Sequence, residues 1–322
     1  MLWFLARRLA AAALLLFLVL SAVFFLVHAA PGDPADLLME ERLPRAQRER
    51  LRALWGLDRP LSEQYAAWLE AVALRGDWGI SLVHHRPDAA VLAEALPATL
   101  LLAGAAFAVD AIVGLALGVA AARRRGRAAD HLIRWGSLLV FSLPTFWLGL
   151  MAILLFSHLW PVLPAGHLRS VGAEALPAPA RLLDLARHLA LPSLVLGLWL
   201  AGATARFVRN GLLEVLGQDY VRTARAAGVP ERRVLWVHAL RNAAVPVVQV
   251  FALTLPALLS GSLVTEVVFS LPGIGRAGFD AILTRDYPLV LGVTALSAAL
   301  VIAGNLAADL AHGALDPKVR DA

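Results

Sequence analysis

Apolar positions along this chain of 322 residues gather into six long runs, at 9–30, 98–122, 133–159, 189–207, 243–263 and 289–311, instead of alternating with polar ones. Each run is close to the ~20 residues that a helix needs to cross a hydrocarbon layer. Uniform apolarity also leaves no polar face for water, which marks a helix surrounded by lipid or by other helices. The expected fold is therefore all-α and polytopic, with six transmembrane helices. The first run, behind Arg7 and Arg8, has the outline of a secretory leader. It exceeds the roughly 7–15 apolar residues of such a leader and five similar runs follow, so it reads as a first transmembrane helix. The chain then divides into 1–30 (tail and first helix), an insert at 31–97, and a transmembrane domain at 98–322 with a polar loop at 206–242.

The polar stretches carry the local signals. In the insert, Leu57-Asp58-Arg59-Pro60 is a turn and Ser62 suits the cap of a helix. Tyr65, Leu69 and Val72 would share its apolar stripe, and Gly76 would stop it. This is either a small helical lid or an amphipathic loop that only covers the end of the bundle. In the loop, Asp219 suits the cap of a short helix starting at Tyr220, Gly228 its left-handed end, and Pro230 the first turn of a second helix. Thr223, Ala224, Ala226 and Ala227 leave a small-side-chain surface between Arg222 and Arg225, as a docking element would. Pro144, Pro192, Pro246 and Pro256 fall in later spans; the kinks they permit suit a pathway or mere packing equally.

Composition agrees with lipid as the main solvent: 59% of residues are hydrophobic, 16% charged, and the mean hydropathy is +0.70. Without Cys, disulfides and thiolate metal sites are excluded. The net charge of +5 is unevenly placed. The N-terminus, the second and fourth connections and the C-terminal tail carry 16 Lys and Arg on short segments, whereas the other three connections carry 13 against 16 carboxylates. Basic connections stay in the cytoplasm, so both termini and 206–242 are expected there and 31–97 outside. The charge thus answers to membrane sidedness and not to nucleic acid.

Candidate chemistry is sparse. Gly273-Ile-Gly-Arg-Ala-Gly278 fits G-x-G-x-x-G but follows Pro272 in a connection, without the strand a dinucleotide site needs, and reads as a glycine-rich turn. The sole lysine is Lys318, so a phosphate-binding G-x-x-x-x-G-K-[ST] loop is impossible. Adjacent His84 and His85 lack ligand spacing and read as solvated side chains, with no metal site expected. Asp110, within the second run, is the one ionisable group at depth that carries a signal, through either a structural partner on another helix or substrate contact; His28 and Asp309 lie near span ends. An intramembrane enzyme would need H-E-x-x-H, G-x-S-x-G or paired aspartates, and a channel a filter sequence; none is present.

The stretch 219–242 resembles the EAA loop of binding-protein-dependent ABC importer permeases, in the version of the dipeptide, oligopeptide and nickel systems. In the family pattern Glu-Ala-Ala is followed by three residues and a glycine. Here Arg222-Thr223-Ala224 holds those places, Gly228 is the glycine, and the glutamate is missing. The segments Pro31–Pro34, Gly56–Pro60, Gly76–Gly79, Ser142–Gly149, Gly261–Gly275, Arg285–Pro288 and Leu315–Lys318 extend the resemblance over nearly the whole chain. It implies a non-catalytic permease subunit of the cytoplasmic membrane. Its partners would be a second homologous permease, two ABC ATPase subunits that bind ATP and Mg, and an extracytoplasmic substrate-binding protein; the chain itself would hold no cofactor. Asp219, Tyr220, Arg222, Thr223, Ala224, Ala227 and Gly228 would form the ATPase contact. Peptide is the leading substrate, with nickel complexes, glutathione and haem open.

Overall fold

A computed structural model describes residues 2–29, 58–230, 233–234 and 240–315. Among these the fold is all-helical, with a single isolated bridge between Ile80 and Pro87. The first helix, α1, is Leu2–Ala29, and α2 is Leu61–Glu70, prolonged by a π turn over Ala71–Arg75. The long α3, Asp88–Arg123, is followed by α4, Ala128–Ser142, and α5, Thr145–Ile153, the last prolonged by a π turn over Leu154–Leu159. Then come α6, Ala178–Leu216, α7, Asp219–Ala226, and α8, Leu240–Leu259. Two short helices, α9 (Leu263–Val268) and α10 (Ile274–Leu283), precede α11, Tyr287–Leu315.

Among the described residues four helices are long and apolar enough to cross a membrane, over Ala6–Ala29, Asp88–Arg123, Ala178–Leu216 and Tyr287–Ala308. The run at 133–159 is not one straight helix. Leu143 is extended (ψ 138), Pro144 removes a donor from the ladder, and α4 and α5 meet at a bend of 96°. The fifth run lies on α8, Leu240–Leu259, within which Val250–Leu259 is an apolar stretch. By contrast Pro192 is absorbed inside a continuous α6. Leu14, Leu26, Ile112, Leu132 and Leu139 are more than half exposed, a surface that suits lipid contact and not water.

The spine is α3 against α6. At 36 and 39 residues they measure about 54 and 58 Å at 1.5 Å per residue, well beyond a hydrocarbon layer of about 30 Å, so both ends project. Glycines let them approach. A Cβ at Gly118 would stand 2.5 Å from Val208 Cβ, at Gly114 2.6 Å from Thr204 Cγ2, and at Gly197 2.6 Å from Val109 Cβ. Small residues of this kind allow the van der Waals contact that drives association between helices in lipid. The other helices use the same device: a Cβ at Gly202 of α6 would stand 2.9 Å from Ser137 O of α4, and one at Gly304 of α11 would stand 3.0 Å from Pro256 Cα of α8.

The expected helix in the insert is present as α2, with corrections. Pro60 occupies the N-cap and Ser62 is the second helical residue, so Ser62 does not cap. Gly76 ends the element at φ 63 as expected. Tyr65 and Trp68 lie against Phe24 of α1, each with ring centroids 5.3 Å apart, and the Tyr65 and Ser21 hydroxyls are 2.6 Å apart. The segments at 31–34 and 56, and Lys318, lie outside the described residues.

At the arginine-rich end, Asp130 of α4 is buried and takes two hydrogen bonds from Arg209 of α6, at 2.7 and 2.8 Å, and one from Gly126 N at 3.0 Å. The buried carboxylate is thus paired and fully occupied. Arg209→Ala should cost about 3–5 kcal/mol because it strands a buried carboxylate, and adding Asp130→Leu should recover much of it. Thermal unfolding in detergent at pH 7 measures both; equal stability of Arg209→Ala and wild type would contradict the assignment.

Candidate functional site

The polar hairpin is built at the end of α6. Gly217 and Gln218 turn the chain, Gln218 is extended (φ −76, ψ 154), and α7 starts at Asp219. The expected cap at Asp219 is corrected: Gln218 holds the N-cap position without a side-chain bond, and Asp219 is the first helical residue. Its carboxylate meets Arg222 Nη1 at 3.1 Å, while its carbonyl accepts from Thr223 Oγ1 at 3.0 Å. Both charged side chains are largely exposed, so their pair contributes less than about 1 kcal/mol and leaves Arg222 available to a stronger acid.

The end of α7 matches expectation. Gly228 has φ 75, its N–H donates to Arg225 O at 3.0 Å, and Val229 N donates to Ala224 O at 3.1 Å. These are the two bonds of a Schellman motif, which needs a left-handed residue at that position. Beyond it, Arg233 N and Val234 N return to Pro230 O at 2.8 and 3.0 Å, one turn of the second element. Glu231, Arg232 and 235–239 lie outside the described residues. Val221 and Val234 are fully buried and anchor the hairpin. Asp219, Tyr220, Arg222, Thr223, Ala227 and Gly228 are exposed and Ala224 is partly so. The seven residues singled out in sequence thus form one presented surface, attached directly to the spine.

Asp110 is elsewhere. It is buried at mid-length of α3, facing α6, and among the described residues neither carboxyl oxygen has a hydrogen-bond partner. Thr204 stands beside it without bonding geometry.

Sequence reading missed the polar joints at the opposite end. Glu266 of α9 is buried; Oε1 accepts from Thr99 Oγ1 of α3 at 2.8 Å and Oε2 from Arg276 N at 2.9 Å. Thr99 Oγ1 accepts in turn from Ile274 N at 2.8 Å. The carboxylate therefore satisfies the first turn of α10 from outside that helix, where negative charge suits the helix dipole. Gly273 and Gly275, part of the G-x-G-x-x-G match, are needed here: a Cβ on Gly273 would overlap Glu266 Cδ, and one on Gly275 would stand 2.8 Å from Leu263 Cα. Asp286 similarly accepts from Ser81 Oγ at 2.5 Å, Leu82 N at 3.1 Å and Val83 N at 3.2 Å, joining the insert to the start of α11. His84 and His85 lie on that 81–85 turn. His167 N donates to Phe269 O at 2.9 Å, and His188 Nδ1 lies 2.8 Å from Gly166 O. The segment around 166–170 is thereby strapped across α9. The signal available in sequence was a lone glutamate in an apolar run, followed by Pro272-Gly-Ile-Gly275.

The family described as binding-protein-dependent transport system inner membrane component matches residues 114–321, and its N-terminal counterpart matches residues 1–103. The chain is 40% identical over 335 residues to the di/tripeptide transport system permease protein DppB of Pseudomonas aeruginosa (strain UCBPP-PA14), covering 99% of each chain. It is 37% identical over 337 residues to the dipeptide transport system permease protein DppB of Escherichia coli (strain K12), again covering 99% of each. The oligopeptide transport system permease protein AppB of Bacillus subtilis (strain 168) is 37% identical over 297 residues, 92% of each chain.

The glycine at 273 gives a sharp test of the Glu266 joint. Gly273→Ala should destabilise by about 1–3 kcal/mol through overlap with the carboxyl. Gly126→Ala, at φ 73 with open space around its Cβ, should cost only about 1 kcal/mol from backbone strain. Unfolding of both variants in one detergent ranks them; the reverse order would contradict the joint.

Proposed function

Because the chain belongs to the family of binding-protein-dependent transport system inner membrane components, we propose that it is a permease subunit of an ATP-driven importer that carries peptides across the cytoplasmic membrane. The single observation that carries this reading is the full-length likeness to peptide permeases, together with a presented α7 surface at the end of the spine. The peptide names of these relatives favour peptide over nickel complexes, glutathione or haem.

In this reading the chain crosses the membrane six times, with the bent α4–α5 pair and α8 supplying the third and fifth crossings. Both termini and the 206–242 loop face the cytoplasm, and 31–97 faces outward, as the arginine distribution requires. A second homologous permease completes the pathway, an extracytoplasmic binding protein delivers the substrate, and two ATPase subunits bind ATP and Mg. The chain itself catalyses nothing. α7 sits in a cleft of an ATPase subunit, with Tyr220, Arg222, Thr223 and Ala227 in contact. It continues α6 after a two-residue turn, so a displacement of the cleft reaches α6 directly. The α3–α6 contact is too close to deform and transmits the movement as a rigid unit.

Gly228 is the position where coupling and folding separate. No atom lies within 4 Å of a Cβ built there, so Gly228→Val strains the backbone without a core clash. The variant should insert, pair with its partner permease and reach normal abundance, while ATPase recruitment and ATP-dependent dipeptide uptake in proteoliposomes fall at least about tenfold, the effect of ~1.4 kcal/mol. Wild-type uptake per complex would refute the coupling role, and uptake of nickel complexes but not peptides would refute the substrate.

A further inference from the structure

Between α3 and α4 the chain turns within a few residues and exposes Arg123, Arg124, Arg125 and Arg127 together. The turn is fixed by Gly126 at φ 73, by Arg127 N donating to Arg124 O at 2.9 Å, and by Gly126 N donating to Asp130 at 3.0 Å. Asp130 is the sole carboxylate between Asp110 and Glu174, and both its oxygens are occupied by Arg209. Among the described residues none of the four guanidinium groups has an ion pair or hydrogen-bond partner. Four positive charges within five residues repel one another, and among the described residues no carboxylate pairs with them.

The surface that follows is apolar. Leu132, Trp135 and Leu139 are 73%, 67% and 64% exposed and fall at i, i+3 and i+7, on one face of α4. Tryptophan favours the boundary between headgroups and hydrocarbon, and Arg134 beside it can reach back to the same layer. A basic turn leading into such a face follows the order in which a bilayer presents its chemistry, from anionic phosphate to acyl chain. A protein partner would have to supply both an acidic patch and an apolar groove in that register.

We propose that Arg123, Arg124, Arg125 and Arg127 form a binding site for anionic phospholipid headgroups of the adjoining leaflet, with Leu132 and Trp135 at the interface and Leu139 against the acyl chains. Point charges of this kind contribute about fivefold in affinity for each arginine near an anionic surface and are screened by salt. The assignment rests on charge and exposure and is independent of the transported substrate.

The test uses the complex assembled with its partner chains, in nanodiscs of phosphatidylcholine mixed with phosphatidylglycerol. Lipid retained after extraction into mild detergent is counted by mass spectrometry. Wild type should retain phosphatidylglycerol in preference to phosphatidylcholine, and the preference should shrink with salt. Replacing the four arginines by glutamine should reduce it at least about tenfold, whereas four lysines should keep most of it, because charge and not the guanidinium fork is read. Arg125→Gln alone should lose a measurable part, which keeps the test open if the fourfold variant does not assemble. Unchanged retention in the glutamine variants would overturn the proposal. So would loss of ATPase subunits from the fourfold glutamine variant with lipid retention intact, which would place the arginines at a protein interface.

Discussion

The close crossing of α3 on α6 is the contact on which the other elements depend. Lipid tails are as apolar as leucine, so burying side chains between helices gains little there and association has to come from shape. Gly114, Gly118 and Gly197 provide that shape by bringing one helix against the side chains of the other, with Val109, Thr204 and Val208 in the hollows. A methyl group at any of the three would have to displace a β-branched residue. Against this pair lean α4, through Gly202 and Ser137, and α8, through Phe251 on Phe107 at 5.1 Å. Asp110 lies within the same interface, which explains its burial.

At three of the turns between helices a buried carboxylate takes up backbone donors. Backbone donors and acceptors freed in or near lipid must find partners inside the protein. Glu266 and Thr99 do this for the first turn of α10, Asp286 for the 81–83 turn, and Asp130 for Gly126. The two ends of the bundle differ accordingly. The end with Glu266 and Asp286 is joined across elements by carboxylates, and the end with α7 carries exposed arginines. The first arrangement makes a firm cap. The second keeps charge exposed for a partner or a surface.

The sequence showed the long helices clearly because hydropathy alone determines them: α3, α6 and α11 contain the runs read at 98–122, 189–207 and 289–311, and α1 carries the first run as far as Ala29. It did not show the 96° bend, since Pro144 permits a kink without setting its size. Gly228 was legible because a Schellman end is written in neighbouring residues. The caps at Ser62 and Asp219 were each placed one or two positions late, because Pro60 and Gln218 took the extended conformation first. The Glu266 joint was invisible for a different reason. Its partner Thr99 is 167 residues away, and no local pattern announces a contact of that length.

These features place a rigid spine between a stitched cap and a presented hairpin, and the central claim is that the hairpin is where ATPase subunits act on the spine. The chain lacks cysteine, so a single Ala227→Cys gives one defined attachment point. With one cysteine placed in the surface cleft of an otherwise Cys-free ATPase subunit, disulfide formation in the assembled complex should occur at 227, and its yield should change when ATP is added. A cysteine at Ser62 should not react. Cross-linking from Ser62, or none from Ala227 in a complex that still transports, would contradict the account.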